Sequence, residues 1–240
     1  MGGLRIETVS DERVLAPRGP LGTRTADDLR LVIHKQLVDW GDTLVDLAGL
    51  RVVEDAALHA FPTALAEAGG WPAARLVLFG ADAATERVLH AQRIPPIVPL
   101  ARDLATARPL LRQRPERLTR RHELPCDLSA NAQARALVES ACGDWGVAGR
   151  FPDATLVTTE LVTNAVMHAA GTSVFIVSLD RHGLHVAVRD GSPSGTRAIR
   201  TGTDLSGAGR GLHLVAELSR AWGVAPHADG KTVWAVISTR

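Results

Sequence analysis

The hydrophobic rhythm of the chain changes near its middle. Up to residue 112, short apolar, β-branched runs alternate with amphipathic stretches. "RVLAPRG", "DTLVDLAGL" and "ARLVLFG" predict strands, each brief and flanked by glycine or acidic residues. "RTADDLRLVIHKQLVDWG" carries apolar residues three and four positions apart and predicts a helix, as do "EDAALHAFPTALAEAGG", "AATERVLHAQR" and "ARDLATARPLL". Such alternation predicts an α/β domain over residues 1–112, a sheet covered by helices.

From residue 119 the pattern is different. "HELPCDL" predicts a strand that leads into a helix, "SANAQARALVESACGDWG", capped at Ser129. A second helix, "TTELVTNAVMHAA", follows an approach through "FPDA". "SVFIVSLDR" and "GLHVAVRDG" alternate apolar and polar residues around a turn at Arg181, His182 and Gly183, which predicts an antiparallel pair. A glycine cluster opens the helix "GRGLHLVAELSRAWG", and "KTVWAVIST" closes the chain as a strand. This grouping predicts an α+β two-layer sandwich over residues 119–240. The arginine- and proline-containing stretch 113–118 is expected to link the two domains, and no internal repeat is present.

Composition narrows the function classes. The 45% hydrophobic and 22% charged content is ordinary for a soluble globular protein. No run of about 18 apolar residues exists, so no transmembrane helix is expected, and "MGGLRIETVSDERV" lacks the apolar core of a signal peptide, which points to the cytoplasm. Cys126 and Cys142 form no CxxC pair and are expected to be reduced thiols. A net charge of +1 makes no general case for nucleic-acid binding. The local exception is the tract of Arg112, Arg114, Arg117, Arg120 and Arg121, which has no interleaved aromatics and reads as a solvated linker. His182 and His185 fall on opposite strand faces and make no metal pair, and the five tryptophans read as core or rim anchors.

Three polar clusters of the second half carry chemistry. Glu160, Asn164 and His168 recur every four residues and share one helix face. Leu161, Val162, Ala165, Val166 and Ala169 form the adjoining apolar stripe. Asp190 and Gly191 follow a strand, and Gly207, Gly209, Arg210 and Gly211 lie at a helix start. A glycine-rich helix start offers unpaired backbone N–H groups and a positive dipole end to phosphate oxygens. Arginine adds a charged contact, an asparagine carbonyl oxygen is a hard ligand for Mg²⁺, and a carboxylate one turn away can orient or deprotonate a hydroxyl. Each cluster also has a plain structural reading as a turn, a loop or a solvated face, but their joint order favours a nucleotide pocket. Two common nucleotide motifs are excluded. "GKT" at 230–232 lacks the earlier glycine of a P-loop, because position 225 is Ala225, and a strand follows it. The glycines at 207 and 209 fail the dinucleotide fingerprint, because Leu212 occupies the third glycine position.

"ELVTNAVMHA" resembles the N box of the Bergerat-fold (GHKL) ATPases, "VRDGSPSG" their G1 box and "GRGLHLV" their G2 box. "WGVAPHADGKTVWAVI" is similar to the actinobacterial branch related to anti-sigma-factor serine kinases. The resemblance implies ATP and Mg²⁺ as ligands, Glu160 as catalytic base and Asn164 as Mg²⁺ ligand. It implies that Asp190, beside Gly191, accepts from the adenine amino group, helped by Thr232, and that Gly207, Gly209, Arg210, Gly211 and Leu212 surround the phosphates. His168 either contacts phosphate or packs at the helix end.

In the first half, "VLAPRGPLGTRTADDLRLVIHKQL", "DTLVDLAGLRVVEDAALHAF" and "ARLVLFG" resemble a STAS domain, the fold of anti-sigma-factor antagonists. That family is phosphorylated on a serine in a "DSSGL"-like turn, where this chain has "EDAAL" with Ala56 at the acceptor position and Ala57 for the glycine. Alanine has no hydroxyl to attack a phosphate, so this domain is no serine substrate. Glu54 and Asp55 read as capping residues, with a fixed imitation of phosphoserine as the alternative. The two resemblances together imply a regulator of an anti-sigma partner-switching system: a serine kinase acting on a separate STAS antagonist, or a non-catalytic nucleotide-dependent switch that binds a sigma factor or STAS protein. Monomer and homodimer are both compatible with the sequence.

Overall fold

A computed structural model describes residues 3–9, 13–168, 171–191 and 210–239, and the chain divides into two compact units, Met1–Leu118 and Thr119–Arg240. The first unit holds a six-stranded sheet. Its strands β1 (Arg5–Val9), β2 (Val14–Leu21), β3 (Asp42–Asp46), β5 (Arg75–Phe79) and β6 (Leu100–Ala101) lie in that order, and β4 (Leu50–Val52) pairs with β2. Only β1 runs antiparallel to its neighbour; β2, β3, β5 and β6 are mutually parallel, with Val14 opposite Leu44 and Leu44 opposite Val77. Strands covered on both faces read as unbroken apolar runs, which is why "TLVD" and "LVLF" show little alternation. Leu15, Val45, Leu76 and Leu78 pack on one face with Leu29, Ile33 and Leu37 of helix α1 (Thr23–Trp40) and with Phe61 of α2 (Ala60–Glu67). Val14, Leu44, Val77 and Phe79 form the opposite face with Ala107 of α4 (Leu104–Leu110). Helix α3 (Ala83–Ala91) is capped by Asp82, whose carboxylate accepts the Thr85 N–H at 2.7 Å.

The acidic pair before Ala56 has a definite structural use. Glu54 Oε2 accepts the backbone N–H of Thr23 at 3.0 Å, so this carboxylate caps α1, an element 31 residues away in sequence. Residues Asp55–His59 form a 3₁₀ turn ahead of α2, with Ala56 exposed and Ala57 and Leu58 buried. Capping is the structural role of Glu54 at this turn.

The second unit stacks helices on a five-stranded sheet of order β10 (Ala221–His227), β11 (Gly230–Ile237), β9 (Gly183–Asp190), β8 (Ser173–Asp180), β7 (Leu118–Leu124). Strands β8, β9, β11 and β10 pair antiparallel. Phe175 and Val177 of β8, Leu184, Val186 and Val188 of β9, and Val233, Ala235 and Ile237 of β11 are buried. Helix α6 (Phe151–His168) touches β8, β9 and β11, with α5 (Ser129–Asp144) and α7 (Arg210–Leu218) packed beside it. Ala130, Ala134, Val138 and Ala141 of α5 are fully buried, and small side chains at that spacing let the α5 and α6 backbones approach closely.

Four expectations need correction. Ser129 is the first helical residue of α5 rather than its cap; the Asp127 carboxylate accepts the Ser129 N–H at 2.8 Å. The helix expected through Gly223 ends at Leu218, and Ala221–His227 is an edge strand that the sequence pattern did not reveal. Edge strands lack strong alternation, and Gly223 is needed there because Trp234 lies across it, where an added Cβ would meet the indole at 2.9 Å. Strand β1 was likewise not anticipated. Finally, the arginine tract is not simply a solvated linker. Arg114 lies 5.7 Å over the Trp71 ring, and the Arg117 N–H bonds Pro96 O at 2.8 Å. Arg120 belongs to β7 and is only 4% exposed, stacked over Trp145 and bonded to Ser140 Oγ and the Asp144 carboxylate. Cys142 is buried, which pushes its thiol up to about 11 and makes it a packing residue, while Cys126 is exposed.

Two outcomes are expected from these contacts. Arg120→Ala removes a buried guanidinium and its stack on Trp145 and lowers the unfolding free energy by about 2–4 kcal/mol, nearer the lower figure because Asp144 stays half-exposed; urea denaturation measures it. The Thr23 hydroxyl and N–H hold the Glu54 carboxyl below its ordinary value of 4.5. A depressed folded-state pKa adds stability above that value, lost as pH falls through the folded-state pKa. Thermal melts should therefore separate Glu54→Gln from wild type at neutral pH and converge in acid.

Candidate functional site

The site is built on the face of α6 that borders its buried stripe. Leu161, Val162 and Ala165 are buried, and this holds Glu160 and Asn164, both half-buried, along the edge of the helix layer. Opposite Glu160 lies the first turn of α7. A Cβ on Gly211 would overlap Glu160 Oε2, so glycine at this position lets the α7 backbone come against the carboxylate. Leu212 and Val215, buried at 8% and 0% exposure, anchor α7 and thereby fix the approach. A carboxylate thus meets the N–H-rich start of a nine-residue helix, with an amide side chain one turn further along α6. His168 is the last residue of α6 and Arg210 the first of α7; their side chains, with Gly207 and Gly209, lie outside the described residues.

The second part of the site is the end of the sheet. Asp190 closes β9, facing the helix layer with Val186 and Val188, and its side chain is 2% exposed. Its neighbour Gly191 is exposed. Lys231 stands directly opposite Asp190 in the β9–β11 register, and its Nζ lies 3.3 Å from Asp190 Oδ1 with the lysine side chain 8% exposed. Gly230 is required one residue earlier: its φ is +153°, and a Cβ there would overlap the Asp190 carbonyl oxygen. A buried ion pair survives only where its partners are close and well bonded, because both charges lose their hydration.

Here the structure changes one assignment. Thr232 pairs with Arg189, not Asp190, and so projects from the opposite face of the sheet. Its hydroxyl meets His227 Nε2 at 2.9 Å, and Arg189 bonds Asp229 at 2.8 Å on the exposed side. Thr232 therefore does not help Asp190, and Lys231 holds that position. The signal was present in the alternation of β11, since Lys231, Val233, Ala235 and Ile237 share the face that carries Asp190. Elsewhere, His185 Nε2 donates to the Asp180 carboxylate at 3.0 Å, and no cluster of metal-ligating side chains occurs among the described residues.

Glycines 230 and 211 should behave differently when substituted. Gly230→Ala forces a Cβ into backbone at a left-handed φ and is expected to cost about 1–3 kcal/mol of stability. Gly211→Ala meets only a movable carboxylate and gains helix propensity, so its stability change stays under about 1 kcal/mol while Glu160 is displaced. Paired denaturation curves test the contrast.

Several known proteins are similar to this chain. An anti-sigma factor antagonist from Mycobacterium paratuberculosis is 18% identical, with a TM-score of 0.39 over 46% of this chain and 94% of that one. The protein TM1081 is 14% identical, TM-score 0.39, over 48% and 92% of the respective chains. The anti-sigma factor antagonist SpoIIAA in its unphosphorylated form is 14% identical, TM-score 0.34, over 42% and 90%. No curated protein matches the chain. The family described as the histidine kinase-like ATPase domain matches residues 102–237, more than half of the sequence, and covers α5, α6, α7 and the entire second sheet. By that match, and with the α6 stripe and the glycine start of α7 in place, the chain belongs to the histidine kinase-like ATPase domain family.

Proposed function

We propose that the second unit binds ATP and phosphorylates a serine on a separate STAS antagonist, making the chain a cytoplasmic regulator of an anti-sigma partner-switching system. The observation that carries this reading is the placement of Glu160 against the glycine start of α7 with Asn164 one turn further along α6. The residues suit the ligands: Gly211 leaves space where a side chain would intrude, and the Asn164 carbonyl oxygen is a hard donor able to hold Mg²⁺. The metal ion would supply neutralisation of phosphate charge.

Each residue then has a defined task. Glu160 orients the acceptor serine hydroxyl and takes its proton as that oxygen bonds to the γ-phosphorus and the bond to the ADP oxygen breaks. The first-turn N–H groups of α7, with Gly207, Gly209 and Arg210, hold the phosphates, and Asp190 accepts from the base amino group. Most of the rate enhancement comes from positioning. Ala56 is exposed at the turn where the resemblance expects a phosphoserine, so that turn offers no acceptor hydroxyl in cis. No helix of the described residues is long and apolar enough to cross a membrane.

The test uses labelled ATP, Mg²⁺ and candidate STAS antagonists carrying serine. Wild type is expected to label the partner, and Glu160→Ala to slow transfer about 10²–10⁴-fold while still binding ATP. Asn164→Ala should weaken Mg²⁺-dependent binding. ATP binding without labelled partner or ADP release above the variants would refute the kinase and leave a non-catalytic switch. Absence of ATP binding removes both.

A further inference from the structure

We propose that Lys231 is a specificity-determining residue that lets the base site accept guanine as well as adenine. The inference rests on the reading of the second unit as a nucleotide site with Asp190 at its base end. A lone buried carboxylate can only accept hydrogen bonds, so it takes the adenine amino group or the guanine ring N–H but repels a guanine carbonyl oxygen set beside it. In this chain the carboxylate does not stand alone. Lys231 Nζ lies 3.3 Å from Asp190 Oδ1, on the same face of the sheet and at the same register position, and both side chains are almost fully enclosed.

The pair therefore presents an acceptor and a donor side by side. Lysine has three donor hydrogens and needs one of them for Asp190, which leaves others for a ligand. Adenine would meet Asp190 through its amino group, a contact that does not require Lys231. Guanine would meet the pair with its ring N–H on Asp190 and its carbonyl oxygen on Lys231. The location also favours a ligand role over a purely structural one. The pair sits where β9 ends at the exposed Gly191 and β11 begins at Gly230, at the rim of the sheet rather than in its middle.

Competition of unlabelled ATP and GTP against a fluorescent trinitrophenyl-ATP probe tests this on the full-length protein. Wild type should bind GTP within about tenfold of ATP, since each base finds its partner in the pair. Lys231→Thr and Lys231→Met should raise the ratio of the GTP to the ATP dissociation constant by about tenfold or more, the loss expected when one buried partner goes unmet. Lys231→Arg, which retains a donor, should keep the ratio near that of wild type. Exclusion of GTP by wild-type protein that binds ATP overturns the proposal without touching the ATP site. An equal loss of both nucleotides in folded variants also overturns it, because a merely structural ion pair would not discriminate between bases. Should wild type bind neither nucleotide, the nucleotide-site reading itself falls, and this inference with it.

Discussion

The packing of α6 on the second sheet is the constraint from which the rest of that unit follows. Burying Leu161, Val162 and Ala165 fixes the rotation of the helix about its own axis, and that rotation alone sets Glu160 and Asn164 at the boundary of the helix layer. Leu161 and Val162 each contribute about 1.5–3 kcal/mol by removal from water. The functional stripe is therefore held by its apolar neighbours. Gly211 completes the arrangement from the other side, because only a residue without Cβ allows α7 to lie against the Glu160 carboxylate.

The base of the site depends on sheet register in the same way. Antiparallel pairing of β9 with β11 decides that Lys231 faces Asp190 and that Thr232 faces away. A slip of one residue would exchange them, and the close approach of Gly230 to the Asp190 carbonyl helps to prevent it. The two strands thus bring a charged pair to the rim of an otherwise apolar face. The same economy appears in the first unit, where Glu54 leaves its own turn to cap α1 and so ties two elements that are far apart in the sequence.

Much of the architecture is visible in local pattern. Strands and helices of both units, the stripe of α6 and the glycine start of α7 all rest on periodicity or residue chemistry within a few turns, and these are short-range properties. The edge strand Ala221–His227 was hidden because its stability comes from the β11 ladder and from Trp234 lying over Gly223, neither of which marks the segment itself. Arg120 was hidden for a related reason. It stands in a run of arginines that reads as solvated, and only the approach of Trp145, Ser140 and Asp144 from α5 and its C-terminal end distinguishes it from its neighbours.

The sequence by itself determined the order of the helices and of most strands, the four-residue spacing of Glu160 and Asn164, and the absence of a hydroxyl at Ala56, because these follow from composition and from distances along one helix or turn. Tertiary structure alone decided which residue meets Asp190, which arginine is buried and which helix Glu54 caps. Those choices belong to contacts between segments many residues apart, and no local pattern encodes the register or rotation at which two such segments finally pack.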